Sequence, residues 1–275
     1  MELTLTAPRS ELGGVLSAAL ARAPTRGGGP RVVIDISLQP PNNLLHDGRR
    51  WATFSPSRLS TLARATQRRH ADADFLVHAS YLFLNAVEAG ARPGDTLRPI
   101  VDGALAAERI VMDGAVPACV VRLGYVYGPG SQDLRAYRRA FRIGRPYWAG
   151  PPQTTQRHLH SDDAVRALLA AARQRAQGSL LSASDDLPAS FAAFMDEFAR
   201  LMGNPLPLHL PAATRPLAHV IVAEEHMQMV ELESGTGPVG ARPRSFAPEF
   251  ADYRGGLRQV VNAWASGGRR QFETG

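Results

Sequence analysis

Apolar residues recur with two different periods along this chain, and the alternation of the two predicts an α/β protein. Glu2 to Ala7 alternates as a short strand. Glu11 to Arg22 then sets Leu12, Val15, Leu16, Ala19 and Leu20 at helical spacing behind Ser10, a natural N-cap. Arg31 to Leu38 is an apolar, β-branched strand that Pro40-Pro41-Asn42-Asn43 ends, and residues 44–56 show no period. Pro56 to Arg69 reads as a helix with a basic C-terminus, which suits the helix dipole. Phe75 to Ser80 is the next strand, followed by a loop with a short helical piece over Tyr81 to Pro99 and a helix over Leu105 to Met112. Ala118 to Val126 has the pattern of a strand buried on both faces, and Gly128-Pro129-Gly130 turns the chain after it. Helices are predicted at Ser131 to Ile143, Asp162 to Arg175 and Ser190 to Met202, with a strand at Gly178 to Ser184. From Pro205 the chain is Pro-rich and less regular until a last helix over about Tyr253 to Trp264. Strands alternating with helices imply βαβ units and a mainly parallel sheet. Residues 1–150 are expected to form its core, residues 151–266 to complete it and add a C-terminal lobe, and residues 267–275 to be a flexible tail.

The length of 275 residues suits one such domain with an appended lobe. Composition changes the picture mainly through what it excludes. All 31 basic residues are arginine, so no Schiff-base lysine, phosphate-loop lysine or lysine acid can exist here. The net charge of +6 is modest, and nucleic-acid or polyanion binding is the least favoured of three readings. Cys119, the single cysteine, lies in a buried strand, which excludes an intrachain disulfide and a cysteine-based zinc site. No run approaches the length of a membrane span, and a cytoplasmic location is the expectation.

Four motifs carry a resemblance to a known family. Leu105-Ala106-Ala107-Glu108-Arg109, Arg122-Leu123-Gly124-Tyr125-Val126-Tyr127-Gly128-Pro129-Gly130, Arg157-His158-Leu159-His160-Ser161-Asp162-Asp163-Ala164, and Ala241-Arg242-Pro243-Arg244-Ser245 with Tyr253-Arg254-Gly255-Gly256-Leu257 occur in order. Together they resemble the extended short-chain dehydrogenase/reductases, the NAD-dependent epimerase/dehydratases. The resemblance implies a Rossmann-like parallel sheet with a small C-terminal substrate-type lobe. It places Ser80 at the active-site serine, Gly13, Ser80, Arg122, Leu123 and Tyr125 near a dinucleotide, and Arg157, His158 and His160 on the substrate side.

The departures shape the functional expectation. The family's Tyr-x-x-x-Lys pair should fall at Ile100 and Ala104, and neither side chain can act as an acid, a base or a ribose clamp. Of the dinucleotide fingerprint in Thr6-Ala7-Pro8-Arg9-Ser10-Glu11-Leu12-Gly13-Gly14, the last glycine alone is kept, as Gly13. Val32 to Ser37 could be the second family strand with Asp35 as the ribose acid; the helix and strand that follow fit better if it is the fourth, with strands two and three deleted. The expected function is therefore a protein of this fold without oxidoreductase activity, a binding or structural subunit of a larger homo- or hetero-oligomeric assembly. No cofactor is expected, with NAD(P) as the alternative. An enzyme reusing the cleft, with Ser80, Arg122, Tyr125 and a histidine, is the second reading.

Two other clusters are weighed and set aside. His158 and His160 with Asp162 and Asp163 are not expected to bind metal, on the reading that the ligands would face apart. Glu224-Glu225-His226 is expected to be an exposed charged turn, and the arginines Arg135, Arg138, Arg139 and Arg142 a solvated helix face.

Overall fold

The structure is a computed structural model that describes residues 1–22, 28–37, 55–218, 222–232 and 240–272. The predicted end of the second strand at Leu38 and its stop at Pro40 to Asn43 lie outside them. The main sheet joins β1 (Glu2–Leu5), β2 (Arg31–Asp35), β3 (Phe75–Tyr81), β4 (Ala118–Leu123) and β8 (Leu180–Ala183) in that spatial order, every pair parallel. Helices α1 (Glu11–Arg22) and α6 (Ser161–Gln174) cover one face, where Leu12, Leu16, Leu168 and Ala171 meet Ile34, Val77, Ala79 and Val121. Helices α2 (Pro56–Arg69) and α4 (Arg98–Met112) cover the other, where Leu59, Ala63, Ala107 and Val111 meet Val33 and Leu76. Cover on both faces explains why the central strands read as unbroken apolar runs.

The strand order settles which strand is which. A doubly wound sheet of order 3-2-1-4-5-6 sends its second and third strands to one side of the first and the rest to the other. Here β2, β3 and β4 step away from β1 in one direction, so β2 holds the place of the fourth family strand and β1 is an edge among the described residues. Residues 23–30 alone link α1 to β2, too short a stretch for two strands and their crossovers. The alternative placing of Asp35 as a ribose acid on the second strand is thereby corrected.

The strand Ala118 to Val126 breaks at Gly124. A Cβ there would stand 2.9 Å from the Arg157 carbonyl oxygen, and this close approach lets the chain leave β4 and pair, as β5 (Tyr125–Tyr127), with β7 (His158–His160). A second small pair joins β6 (Tyr147–Trp148) to β9 (His209–Leu210). Around them α3 (Phe83–Glu88), α5 (Gln132–Arg142), α7 (Phe191–Leu201), α8 (Arg215–Ala218), α9 (Glu224–Glu231) and α10 (Tyr253–Phe272) complete the chain. The lobe has its own aromatic core, with Tyr127, Tyr147, Trp148, Phe191, Phe194, Phe198 and Tyr253 buried together.

Three boundaries differ from expectation. Helix α4 begins at Arg98 because Pro99 sits in its first turn, where its missing N–H costs no bond. Glu224-Glu225-His226 starts helix α9, with His226 buried beside Met227 and Val230, rather than forming an exposed turn. The last helix runs on to Phe272, past the predicted stop at Trp264. The arginine face of α5 also does more than meet water: Arg138 lies over the Trp264 ring and Arg135 donates to the Pro129 carbonyl oxygen.

Helix α1 approaches β1 closely at Gly13, where an added Cβ would lie 2.1 Å from the Ala7 carbonyl oxygen. Gly13→Ala is therefore expected to cost about 1–3 kcal/mol of stability in denaturant unfolding; an unchanged midpoint would contradict this packing.

Candidate functional site

The carboxyl ends of β2, β3 and β4 converge where a parallel sheet binds its ligands. At the positions of the family's tyrosine and lysine, Ile100 and Ala104 are buried in an apolar cluster with Tyr81, Leu84, Leu97, Val101, Ala223 and Leu232. Tyr81 stacks on Phe83 with ring centroids 5.3 Å apart, its hydroxyl is buried without a partner, and burial holds it protonated well above the ordinary phenol range. This wall presents no phenol beside a cation. Ser80, at the end of β3, is 1% exposed and its hydroxyl is also unpartnered among the described residues.

Arg122 lies opposite Ser80 in the sheet register, with its side chain fully buried. Its Nε donates to Glu108 at 2.9 Å, and its terminal nitrogens donate to Glu108 at 2.6 Å, Glu88 at 2.5 and 3.1 Å and Asn85 at 2.6 Å. A guanidinium has five N–H donors, and all are spent. Arg122 is thus a clamp between β4, α3 and α4, and the expectation that it contacts a cofactor is corrected for want of a free donor. Leu123 packs its side chain into the sheet core, and its carbonyl oxygen accepts from the Leu82 N–H.

The first βα turn keeps the fingerprint's packing glycine, with its N–H spent inside the turn. Ser10 caps α1 by accepting from the Gly13 N–H at 3.1 Å, and Gly13 brings the helix N-terminus onto the strand end. Glu11 turns away to the start of α5, where burial raises its carboxyl pKa against the pull of the Gln132 N–H and Arg135. Asp35 is unavailable to any ribose. It accepts from Thr6 Oγ1 at 2.6 Å and the Ser37 N–H at 3.1 Å, and His78 Nδ1 lies 2.9 Å from its other oxygen, both residues wholly buried. Burial alone would raise the Asp35 pKa, but these bonds, His78 first, hold it at about 2. A carboxylate that stays ionised only accepts, so His78 Nδ1 carries the shared proton. His78 Nε2 is left buried and unpartnered. The N-terminus of α1 and the orphaned atoms of His78, Ser80 and Tyr81 are the polar groups that a dinucleotide's pyrophosphate and nicotinamide would meet. No described strand lies beyond β1 to floor its adenosine end.

The substrate-side histidines lie inside the lobe core. His158 is fully buried, its ring stacked on Phe194 at 4.2 Å, and burial pushes its pKa down to about 3. His160 packs on Phe250 and its Nε2 meets Gln259 at 3.1 Å. The expectation that the two face apart is corrected: alternate strand residues share a face, and both rings pack on Tyr127. Tyr125 donates to Asp133 at 3.0 Å, and Tyr127 to the Tyr253 carbonyl oxygen at 3.2 Å. Arg157 ends the loop before β7, and its carbonyl oxygen takes the Tyr125 N–H.

Sequence reasoning passed over two buried groups here. His78 is hidden in the apolar run Phe75 to Ser80, and its position two residues before Ser80 was the available signal. Asp185 accepts from the His158 N–H, its other oxygen has no partner, and burial raises its pKa to about 8.

An acid whose folded pKa is raised keeps its proton while the unfolded chain loses it near 3.8, so its contribution to stability falls from about pH 4 to pH 8. Asp185→Asn should raise stability at pH 8 by on the order of 1–2 kcal/mol and have little effect at pH 4; equal effects at both would contradict this. Replacing Arg122 by Met strands Glu108 and should cost about 3–5 kcal/mol, read as a lower unfolding midpoint.

No family model matches the chain. A 3-diazoavenalumate denitrifying reductase from a Streptomyces species is 39% identical over 112 residues, which are 40% of this chain and 36% of that protein. The match thus spans about a third of the relative's length. Among solved structures, the human epimerase family protein SDR39U1 (isoform 2) with NADPH superposes with a TM-score of 0.70 at 18% identity, covering 95% of this chain and 99% of that one. A Bacillus cereus UDP-glucuronic acid 4-epimerase with NAD and a fluorinated UDP-sugar gives 0.66 at 15%, covering 97% and 99%. These neighbours hold NADPH and NAD, which corrects the expectation that a protein of this design has no cofactor. The chain has the fold of the extended short-chain dehydrogenase/reductases, with a Rossmann-like parallel sheet that lacks two of the family's strands among the described residues.

Proposed function

We propose that this chain binds a nicotinamide dinucleotide in the cleft at the strand ends and does not run the tyrosine–lysine hydride transfer of the family. The observation that carries the reading is the apolar wall at Ile100 and Ala104, set against the close turn at Gly13 and the orphaned polar atoms at the end of β3. The N-terminus of α1 would hold the pyrophosphate, with Gly13 seating that helix against the turn, and Ser80 would meet the nicotinamide end. When bound, the dinucleotide supplies a hydride donor or acceptor at its nicotinamide ring. Ile100, Val101 and Ala104 keep water from that side of the cleft. The adenosine end, without strands beyond β1, contributes little to binding in this reading. The partial likeness to a denitrifying reductase supports redox use of the fold, on an acceptor other than a nucleotide sugar.

A second reading, a structural or binding subunit of a larger assembly, draws support from the exposed apolar side chains Ile143, Leu206, Leu208 and Leu217. Sedimentation of the purified chain separates it: a monomer at working concentrations counts against self-association.

A ligand that binds only the native state must stabilise it. NADPH or NADH at a hundredfold excess over Kd should add about 2.7 kcal/mol, measured as a rise in Tm. Neither dinucleotide moving Tm sinks the proposal, as does turnover of UDP-glucuronic acid with NAD at the rate of an intact family member.

A further inference from the structure

The phosphate end of the proposed cleft holds an anion of the chain's own. Glu11, the first residue of α1, bridges the starts of α1 and α5. Its carboxylate accepts the Gln132 N–H at the start of α5, and Oε1 is buried without a partner among the described residues. The turn before α5 presses on the same side chain, for a Cβ at Gly130 would stand 3.2 Å from Glu11 Cγ. On α1, Gly13 gives its N–H to Ser10 Oγ and Gly14 gives its own to the Ser10 carbonyl oxygen. The N–H groups of Glu11 and Leu12 have no acceptor among the described residues, and they are what an anion at this helix start would meet. Covalent reach keeps the Glu11 carboxylate beside them. Two negative charges held that close repel, the more so away from water. Burial is the largest influence on Glu11 and raises its pKa above the ordinary glutamate value, while the Gln132 N–H and Arg135 pull the other way. Arg135 is exposed and donates to the Pro129 carbonyl oxygen. Asp133 is wholly buried and accepts from Tyr125 of β5; burial first, then the Asp133 and Glu11 carboxylates, keep that phenol protonated. Arg9, in the turn before α1, is exposed.

We propose that Glu11 gates the dinucleotide: its carboxylate and the pyrophosphate compete for the adjoining starts of α1 and α5, so that binding takes up one proton from solvent onto Glu11. This rests on dinucleotide binding in the same cleft. Glu11 has no part in hydride transfer; it sets how tightly, and at what pH, the cofactor is held. Oε1 is the place for the added proton, since the other oxygen accepts from Gln132. A protonated carboxyl turns from acceptor into donor, the form that a phosphate oxygen can meet. The sign follows from the charges. A bound anion disfavours the carboxylate and lifts the Glu11 pKa further, so affinity falls as pH rises from the free value through the bound one.

Calorimetric titration of the full chain with NADH from about pH 5.5 to about pH 8, in buffers of different ionisation enthalpy, tests the gate. NADH is the probe because it lacks the 2′-phosphate, which itself titrates at about pH 6. The wild-type chain should take up as much as one proton per NADH and lose affinity with rising pH, by up to about tenfold per unit. Glu11→Gln keeps an oxygen for the Gln132 N–H and removes the charge. It should bind NADH about tenfold or more tightly at the upper pH, with no proton uptake and a flat pH profile. The wild-type profile and its buffer dependence keep the test open if the variant does not fold. NADH binding to the wild-type chain without proton uptake, or with the same affinity and pH slope in both proteins, overturns the gate alone. Failure of both proteins to bind NADH at any pH overturns the reading of the cleft and the gate with it.

Discussion

The short link from α1 to β2 constrains everything that follows in this fold. With residues 23–30 between them, the chain has no room to build strands on the far side of β1 before β2, and the described strands of the main sheet all add on one side. The sheet never reverses direction, and the crevice that a reversal would open over β1 has one wall. In the proposed reading, ligand contacts shift toward the ends of β2, β3 and β4. There the polar groups gather: Asp35, His78 and Ser80 next to the Arg122 cluster, all facing α2 and α4. Burying the charged groups of this cluster is tolerable because Asp35, Arg122, Glu88 and Glu108 are paired.

Arg122 shows how the same residues can keep a fold and give up a role. Its fork binds two carboxylates and an amide, tying β4 to the helices that would carry the family's catalytic pair. The glutamate it holds, Glu108, belongs to the Leu105 to Arg109 run. Two of the motifs that carry the family resemblance are thus the two halves of one ion pair, present here with Ile100 and Ala104 eight and four residues upstream of Glu108. Motif residues joined in this way speak for packing before they speak for catalysis.

The fold was largely legible in the sequence because periodic burial writes itself into the pattern. The strands around Val33, Val77 and Val121 and the helices around Leu16, Ala63 and Leu168 stand where their spacing put them. What escaped were features decided by tertiary contact. Gly124 reads as strand interior until Arg157 is seen against it, and Glu224-Glu225-His226 reads as a turn until Met227 and Val230 bury the helix it begins. His158 and His160 were placed on the substrate side by the motif that holds them, whose polarity is visible while their packing on Phe194 and Phe250 is not. His78 escaped for the opposite reason, sitting in an apolar strand where a histidine attracts no notice until Asp35 is placed opposite. The expected lack of a cofactor followed from the lost glycines, and the neighbours of the same fold that hold NADPH and NAD overturn it.

The central claim is that the cleft holds a dinucleotide by its pyrophosphate–nicotinamide half. Competition against NADPH fluorescence with the two halves of the molecule tests it most directly. The account predicts that reduced nicotinamide mononucleotide displaces NADPH while AMP does not. Displacement by AMP with no effect of the nicotinamide half would contradict it.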